Sequence, residues 1–189
     1  LFNAKLAGTV LNQGRLEDVT VQPDCTITGG ILTGTIVNQG TLSDFEFQGT
    51  QLTGGVLAGQ IKNTKAGIMQ DVKFARRALL SGRKLKGRIA GEAQYRAWIE
   101  SVTILEYSYV IYVIVGDQVE NQGTIENFEF RGSLLKGGTL AGTILATWGG
   151  ILQDVTFAAN TSLKGGRLRG RLKGDWKAPT LLEELLIEV

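Results

Sequence analysis

Histidine is absent from the 189 residues, cysteine occurs once, as Cys25, and there are two prolines. Without histidine there is no Ser-His-Asp or Cys-His nucleophile and no His/Cys zinc site, and a lone cysteine closes no intramolecular disulfide. An excess of one charge is also missing. The 20 Lys and Arg against 18 Asp and Glu leave a formal net charge of +2, too little for bulk charge to imply a nucleic-acid partner. The most apolar run, 102–115, is interrupted by Glu106 and is too short to cross a bilayer as a helix, and the start shows no signal peptide. No cofactor, nucleic-acid partner or membrane span is expected.

Glycine, in contrast, is plentiful at 26 residues, as many turns at fixed intervals require. The chain also repeats itself: TIVNQGTLSDFEFQGTQLTGG at 35–55 returns as QVENQGTIENFEFRGSLLKGG at 118–138. A finer anchor, an apolar residue two positions before glycine, occurs at Leu6–Gly8, Leu32–Gly34, Leu57–Gly59, Leu85–Gly87, Ile114–Gly116, Leu140–Gly142 and Leu168–Gly170, at intervals of roughly 25 to 29 residues. Between anchors come alternating apolar pairs such as Val19/Val21, Phe45/Phe47, Val72/Phe74, Phe128/Phe130 and Val155/Phe157. Spacing of two means strand with one face inward, and no stretch carries the i, i+3, i+4 rhythm of an amphipathic helix.

Short strands between glycine bends cannot bury their apolar side alone; stacking equivalent coils can. The expected fold is all-β, a right-handed parallel β-helix over 1–189, with about seven coils and a length of roughly 30 Å at the interstrand spacing. NQG at Asn12, Asn38 and Asn121 fits one tight corner with glycine at positive φ, and the GG pairs at 29–30, 54–55, 137–138 and 165–166 mark a second corner. The final PTLLEELLIEV aligns with the strand pattern of 100–104 and is read as strand.

Repeats of the form L-x-G-x-I, L-x-D-V-x-F and GG resemble the imperfect β-helix repeats of very large bacterial surface or secreted proteins. The resemblance implies architecture rather than activity, because β-helices host lyases, hydrolases, adhesins and stalks alike. It implies a secreted or surface location. The start LFNAK, without an initiator Met, is read as that of a piece of a longer repeat protein, and the uncapped final strand is an open parallel edge from which end-to-end self-association is expected. The chain is also similar to bactofilin-type solenoids, although its period is longer than theirs.

Three groups of residues are candidates for function. A polar residue precedes each apolar pair: Asp18, Asp44, Asp71, Ser101, Asn127, Asp154 and Glu184. These are expected to stack as a ladder capping turn amides of the neighbouring coil, with calcium as a lesser reading because the GGxGxD signature is absent. Second, longer loops at 62–67, 90–97, 145–150 and 173–180 are expected at one corner, bringing Tyr95, Trp98, Trp148 and Trp176 to one side where a polysaccharide or cell-surface glycan could stack. The competing reading folds these rings inward. Third, Lys84, Lys86 and Arg88, with Arg167, Arg169 and Arg171, form two outward triplets, each on one strand face. Such triplets would attract an anionic glycan or lipopolysaccharide, or simply discourage edge pairing. Glu46, Asp71 and Glu129 are the acids a polysaccharide-degrading enzyme would use, but they recur with the repeat.

Overall fold

The computed structural model describes residues 1–65, 67–147, 149–174 and 181–188. Every regular element among them is a β-strand, and every strand pairing is parallel. Three ladders run the length of the molecule and form three faces, named in the order the chain visits them. The first face begins at Lys5–Leu6, the second at Thr9–Leu11 and the third at Arg15–Glu17. Two eight-residue strands, Leu79–Lys86 and Ala97–Ile104, pass from the third face onto the first without a break and join those ladders into one sheet. The second face is a separate ten-stranded sheet.

The unit of this solenoid is shorter than the spacing of the glycine anchors suggests. Gln51 pairs with Thr35 on one side and Ile68 on the other, so the numbering advances by 16 or 17 per coil. The extremes are 15, from Lys5 to Thr20, and 21, from Arg88 to Tyr109. About eleven coils result, rather than seven, with a stack about 50 Å long at the interstrand spacing. The anchor period is five faces, one coil and two thirds. Successive anchors Leu6, Leu32, Leu57 and Leu85 therefore lie on the first, third, second and again first face. The near-identity of 35–55 and 118–138 is a true vertical repeat. Thr35 and Gln118 begin equivalent first-face strands and are separated by five coils.

Strands alternate inward and outward, and those of three residues point the middle one into the core. Thr26-Ile27-Thr28 is an example, with burial that runs half-buried, buried, half-buried. Leucine, isoleucine, valine and phenylalanine fill the interior, and Phe47, Phe74 and Phe157 are all buried. The final segment is strand as read: Leu181–Glu183 and Leu186–Glu188 pair with the coil before them.

The corners differ from the expectation in two ways. The GG pairs occupy the same corners as the Asn-x-Gly turns, one coil later: Gly54–Gly55 lies over Asn38, and Gly137–Gly138 over Asn121. Asn38 donates to the Gly54 carbonyl and accepts from the Gly40 amide at 3.1 Å, tying two coils together. Gly40 itself has no positive φ. It is glycine because a Cβ there would lie 2.2 Å from the Cys25 carbonyl oxygen.

Candidate functional site

The polar residues before the apolar pairs do not form one ladder. Because they recur every five faces, Asp18 sits at the third-to-first corner, Asp44 at the second-to-third and Asp71 at the first-to-second. Asn127 repeats the place of Asp44 and Asp154 that of Asp71, in each case five coils later. The three aspartates therefore never stack, and the repulsion that would call for a cation does not arise. Among the described residues no group of three His, Cys, Asp or Glu could hold a metal ion.

Their capping role is as expected. Each has φ between 50° and 55° and accepts the amide of the next coil: Asp18 from Thr35, Asp44 from Gln60, Asp71 from Arg88 and Asp154 from Arg171, all at 2.8 Å, and Asn127 from Thr143 at 2.9 Å. The anchor glycine is the other half of this device, since a Cβ on Gly34 would stand 2.2 Å from the Asp18 carboxylate. Hydrogen bonds hold the Asp44, Asp71 and Asp154 carboxyls below their usual range. The donor of largest effect is the Ser43 hydroxyl for Asp44, the Arg88 amide for Asp71 and the Arg171 amide for Asp154.

One copy departs from the pattern. Ser101 replaces the aspartate, and Asp117, at φ 45°, replaces the anchor glycine; the two side chains hydrogen-bond at 2.8 Å. The inward anchor there is Val115, so Ile114–Gly116 is one residue out of phase. Gly116 answers to Trp98 instead. A Cβ on it would meet the indole nitrogen at 2.3 Å, so the ring lies over the backbone of the next coil, with its N–H donating to Glu100 at 2.9 Å. Trp98 is thus half-buried on the third face and largely committed to packing.

The insertions do not share a corner. Loops 62–67 and 145–150 leave the third face for the first, five coils apart, whereas 90–97 leads from the second to the third; of 173–180 only Lys173 and Gly174 are among the described residues. Trp148 and Trp176 lie outside the described residues. Tyr95, 37% exposed, belongs to the second-to-third corner. Arginines surround it: the Arg76 guanidinium stacks 3.6 Å from the ring centroid, Arg77 lies at 5.9 Å, and the Arg77 amide donates to the Tyr95 carbonyl. Beside the ring is an open groove of about 430 Å³ lined by Arg77, Gln94, Tyr95, Arg96, Ile114 and Arg131. At its edge Glu129 and Arg131 pair at 2.6 Å. Sequence reasoning found Tyr95 and missed Arg76, Arg77, Arg96 and Arg131, because only the true coil length brings 76–77, 95–96 and 131 to one place.

The basic triplets also differ from expectation. Lys84 and Lys86 lie on the first face, Gly87 turns the corner with φ 73°, and Arg88 opens the second face. Arg167 and Arg169 are separated from Arg171 by Gly170 in the same way. Each triplet straddles the first-to-second corner rather than occupying one face. The three acids considered for catalysis are separately engaged. Glu46 accepts from Thr64 and Gln48, which pull its carboxyl down, Asp71 caps a corner, and Glu129 holds Arg131.

Three stacked parallel ladders define the chain as a β-solenoid repeat protein. Comparison with protein-family models, characterised proteins and solved structures returns no match. No helix among the described residues is long and apolar enough to cross a membrane.

Proposed function

We propose that this chain is a structural, adhesive β-solenoid module of a secreted or surface-displayed protein: a rigid rod whose protruding loop at 91–96 binds an acidic glycan. The reading rests on one observation. Tyr95 stands at a corner with Arg76 stacked on it and with Arg77 and Arg96 lining the groove alongside. Guanidinium forks match carboxylate or sulfate oxygens, and an aromatic face with Ile114 beside it suits the apolar face of a sugar ring.

Titration of the chain with neutral and uronate-containing oligosaccharides tests this. Tyr95→Ala and Arg96→Ala are each expected to weaken uronate binding about tenfold, matching a loss of roughly 1.4 kcal/mol, without altering the circular dichroism. Equal binding of neutral and acidic sugars, or an undiminished Tyr95→Ala variant, removes the proposal. Product analysis separates it from a polysaccharide-degrading enzyme, which would release new reducing or unsaturated ends. One observation favours a second reading, a self-assembling filament. The coil of 16 or 17 residues is shorter than the anchor interval that set this chain apart from bactofilin-type solenoids. Concentration-dependent fibres in negative-stain micrographs would support that reading; monodisperse short rods would end it.

A further inference from the structure

Two basic clusters, Lys84-Leu85-Lys86-Gly87-Arg88 and Arg167-Leu168-Arg169-Gly170-Arg171, share one pattern. The register connects them directly: Lys84 pairs with Thr103, then in succession Glu120, Lys136, Gln153 and Arg169. The two clusters therefore lie on the same corner, five coils apart, about 24 Å at the interstrand spacing. Each is fixed by the same device. Asp71 holds the Arg88 amide and Asp154 the Arg171 amide, both at 2.8 Å, so the backbone beneath the cations is set in advance. All six basic side chains are exposed. The two ion pairs among the described residues, Glu129–Arg131 and Lys164–Glu184, involve none of Lys84, Lys86, Arg88, Arg169 and Arg171.

The stretch between the clusters decides what fits. It carries Lys136, Gln122 and Tyr107, the last 96% exposed, together with the acidic Glu106 and Glu120. Duplex nucleic acid bears a charge about every 1.7 Å along its axis and would press phosphates onto Glu106, Glu120 and Asp154. A single polysaccharide chain carries its charge more sparsely, and Tyr107 offers an aromatic face to a sugar ring along the way. We propose that this corner is a two-point docking line for a linear acidic polysaccharide, each basic cluster holding one group of its carboxylates or sulfates.

The site is separate from the Tyr95 groove, which lies at the next corner, and stands or falls independently of it. The test is titration of the full chain with oligogalacturonates of graded length. Affinity is expected to step up about a hundredfold once the oligomer spans both clusters, the gain that tethering a second contact confers. Charge reversal at either cluster, K86E with R88E or R169E with R171E, should abolish the step. The neutral pair K86Q with R88Q should remove most of it, which covers the case of a reversal variant that fails to fold. Tyr95→Ala should leave the step intact. The proposal is overturned if affinity rises smoothly with length, if the step survives either reversal, if it vanishes in Tyr95→Ala, or if duplex DNA of equal length binds as tightly.

Discussion

A residue at positive φ ends a strand on every face, and the chain fills that place with aspartate where it also needs an acceptor. A non-glycine residue in this conformation costs about 1 kcal/mol, and aspartate or asparagine offsets it by bonding a nearby amide. Asp44 is the informative case because the chain carries its own control: Asn127 occupies the equivalent corner five coils on and accepts Thr143 in the same way. Asp44→Asn is therefore expected to keep the corner. Asp44→Ala should lose about 1 to 2 kcal/mol, toward the low end because the carboxylate is exposed and screened by solvent. Both values are read from chemical denaturation. The pH dependence follows from the depressed carboxyl. A folded-state pKa below the unfolded value of about 3.9 gives stabilisation that is complete above that value and lost as pH falls through the folded one. The difference in thermal midpoint between the wild type and Asp44→Asn should thus change below about pH 4 and stay constant from pH 5 to 8. Calorimetric scans that show the reverse, a gap opening only at neutral pH, would show that the Asp44 carboxylate is not held as described.

A single coil is where burial and backbone pairing meet, and the buried asparagines show what holds one coil to the next. Asn38 bonds the Gly40 amide and the Gly54 and Val56 carbonyls. Asn63 reaches only the Gly67 carbonyl at 2.9 Å, because the inserted loop 62–67 moves the turn amide away, and its Oδ1 has no hydrogen-bond partner. Alanine already stands in the equivalent place five coils later, as Ala146 beneath Gly165–Gly166. Asn38→Ala should accordingly cost about 2 to 3 kcal/mol, since it leaves buried backbone groups unpaired, and Asn63→Ala under about 1 kcal/mol. Urea denaturation of the two variants checks the order, and an equal loss would mean that the inter-coil bonds of Asn38 contribute nothing beyond those of Asn63. Packing at this scale also explains what was legible in the sequence. Inward residues such as Phe47, Leu57 and Leu140 were legible because every strand alternates inward and outward regardless of face. The period was not, because aspartate and its partner glycine are neighbours between coils and recur every fifth face. Their interval therefore imitates one long coil. Tyr95 was legible as an aromatic in an insertion, whereas its arginines were hidden behind the wrong coil length.

Across the whole molecule the coil and the anchor interval have different lengths, and deletions tell them apart. A solenoid is stabilised by its own repeats and the interfaces between neighbours, so it tolerates loss of whole units provided each remaining strand meets an equivalent partner. Removing 51–133 joins Thr50 to Leu134, the residue that already stands in the place of Gln51 in the repeat at 118–138. Every inward column and every corner device is preserved across that junction. The shortened chain should keep its circular dichroism per residue and lose about 24 Å of maximum dimension by small-angle scattering. A loss near 14 Å, the height of about three coils, would mean that the anchor interval is the coil after all. Smaller deletions ask which unit the corners obey. Removing 35–50 takes one coil and leaves each later strand on its own face, joining Gly34 to Gln51. It also discards Asn38 and Asp44 while keeping Gly54, Gly55 and Gly59, which those side chains serve. Gly54–Gly55 would then sit over the turn at 22–25, which offers no asparagine, and Gly59 over Gly29–Gly30, which offers no acceptor. Removing 35–59 takes one anchor interval and joins Gly34 to Gln60, so Gly34-Thr35-Ile36-Val37-Asn38 becomes Gly-Gln-Ile-Lys-Asn. That moves every later strand one face on, yet Asp18 still meets an amide after Gly34, and Asp71 keeps Gly87 and Arg88. The larger deletion should therefore unfold at the higher urea concentration, because strands of the three faces are alike whereas a glycine deprived of its aspartate is not. A higher midpoint for the one-coil deletion would show that the faces are not interchangeable and that the pairing of aspartate with glycine does not set the unit of this chain.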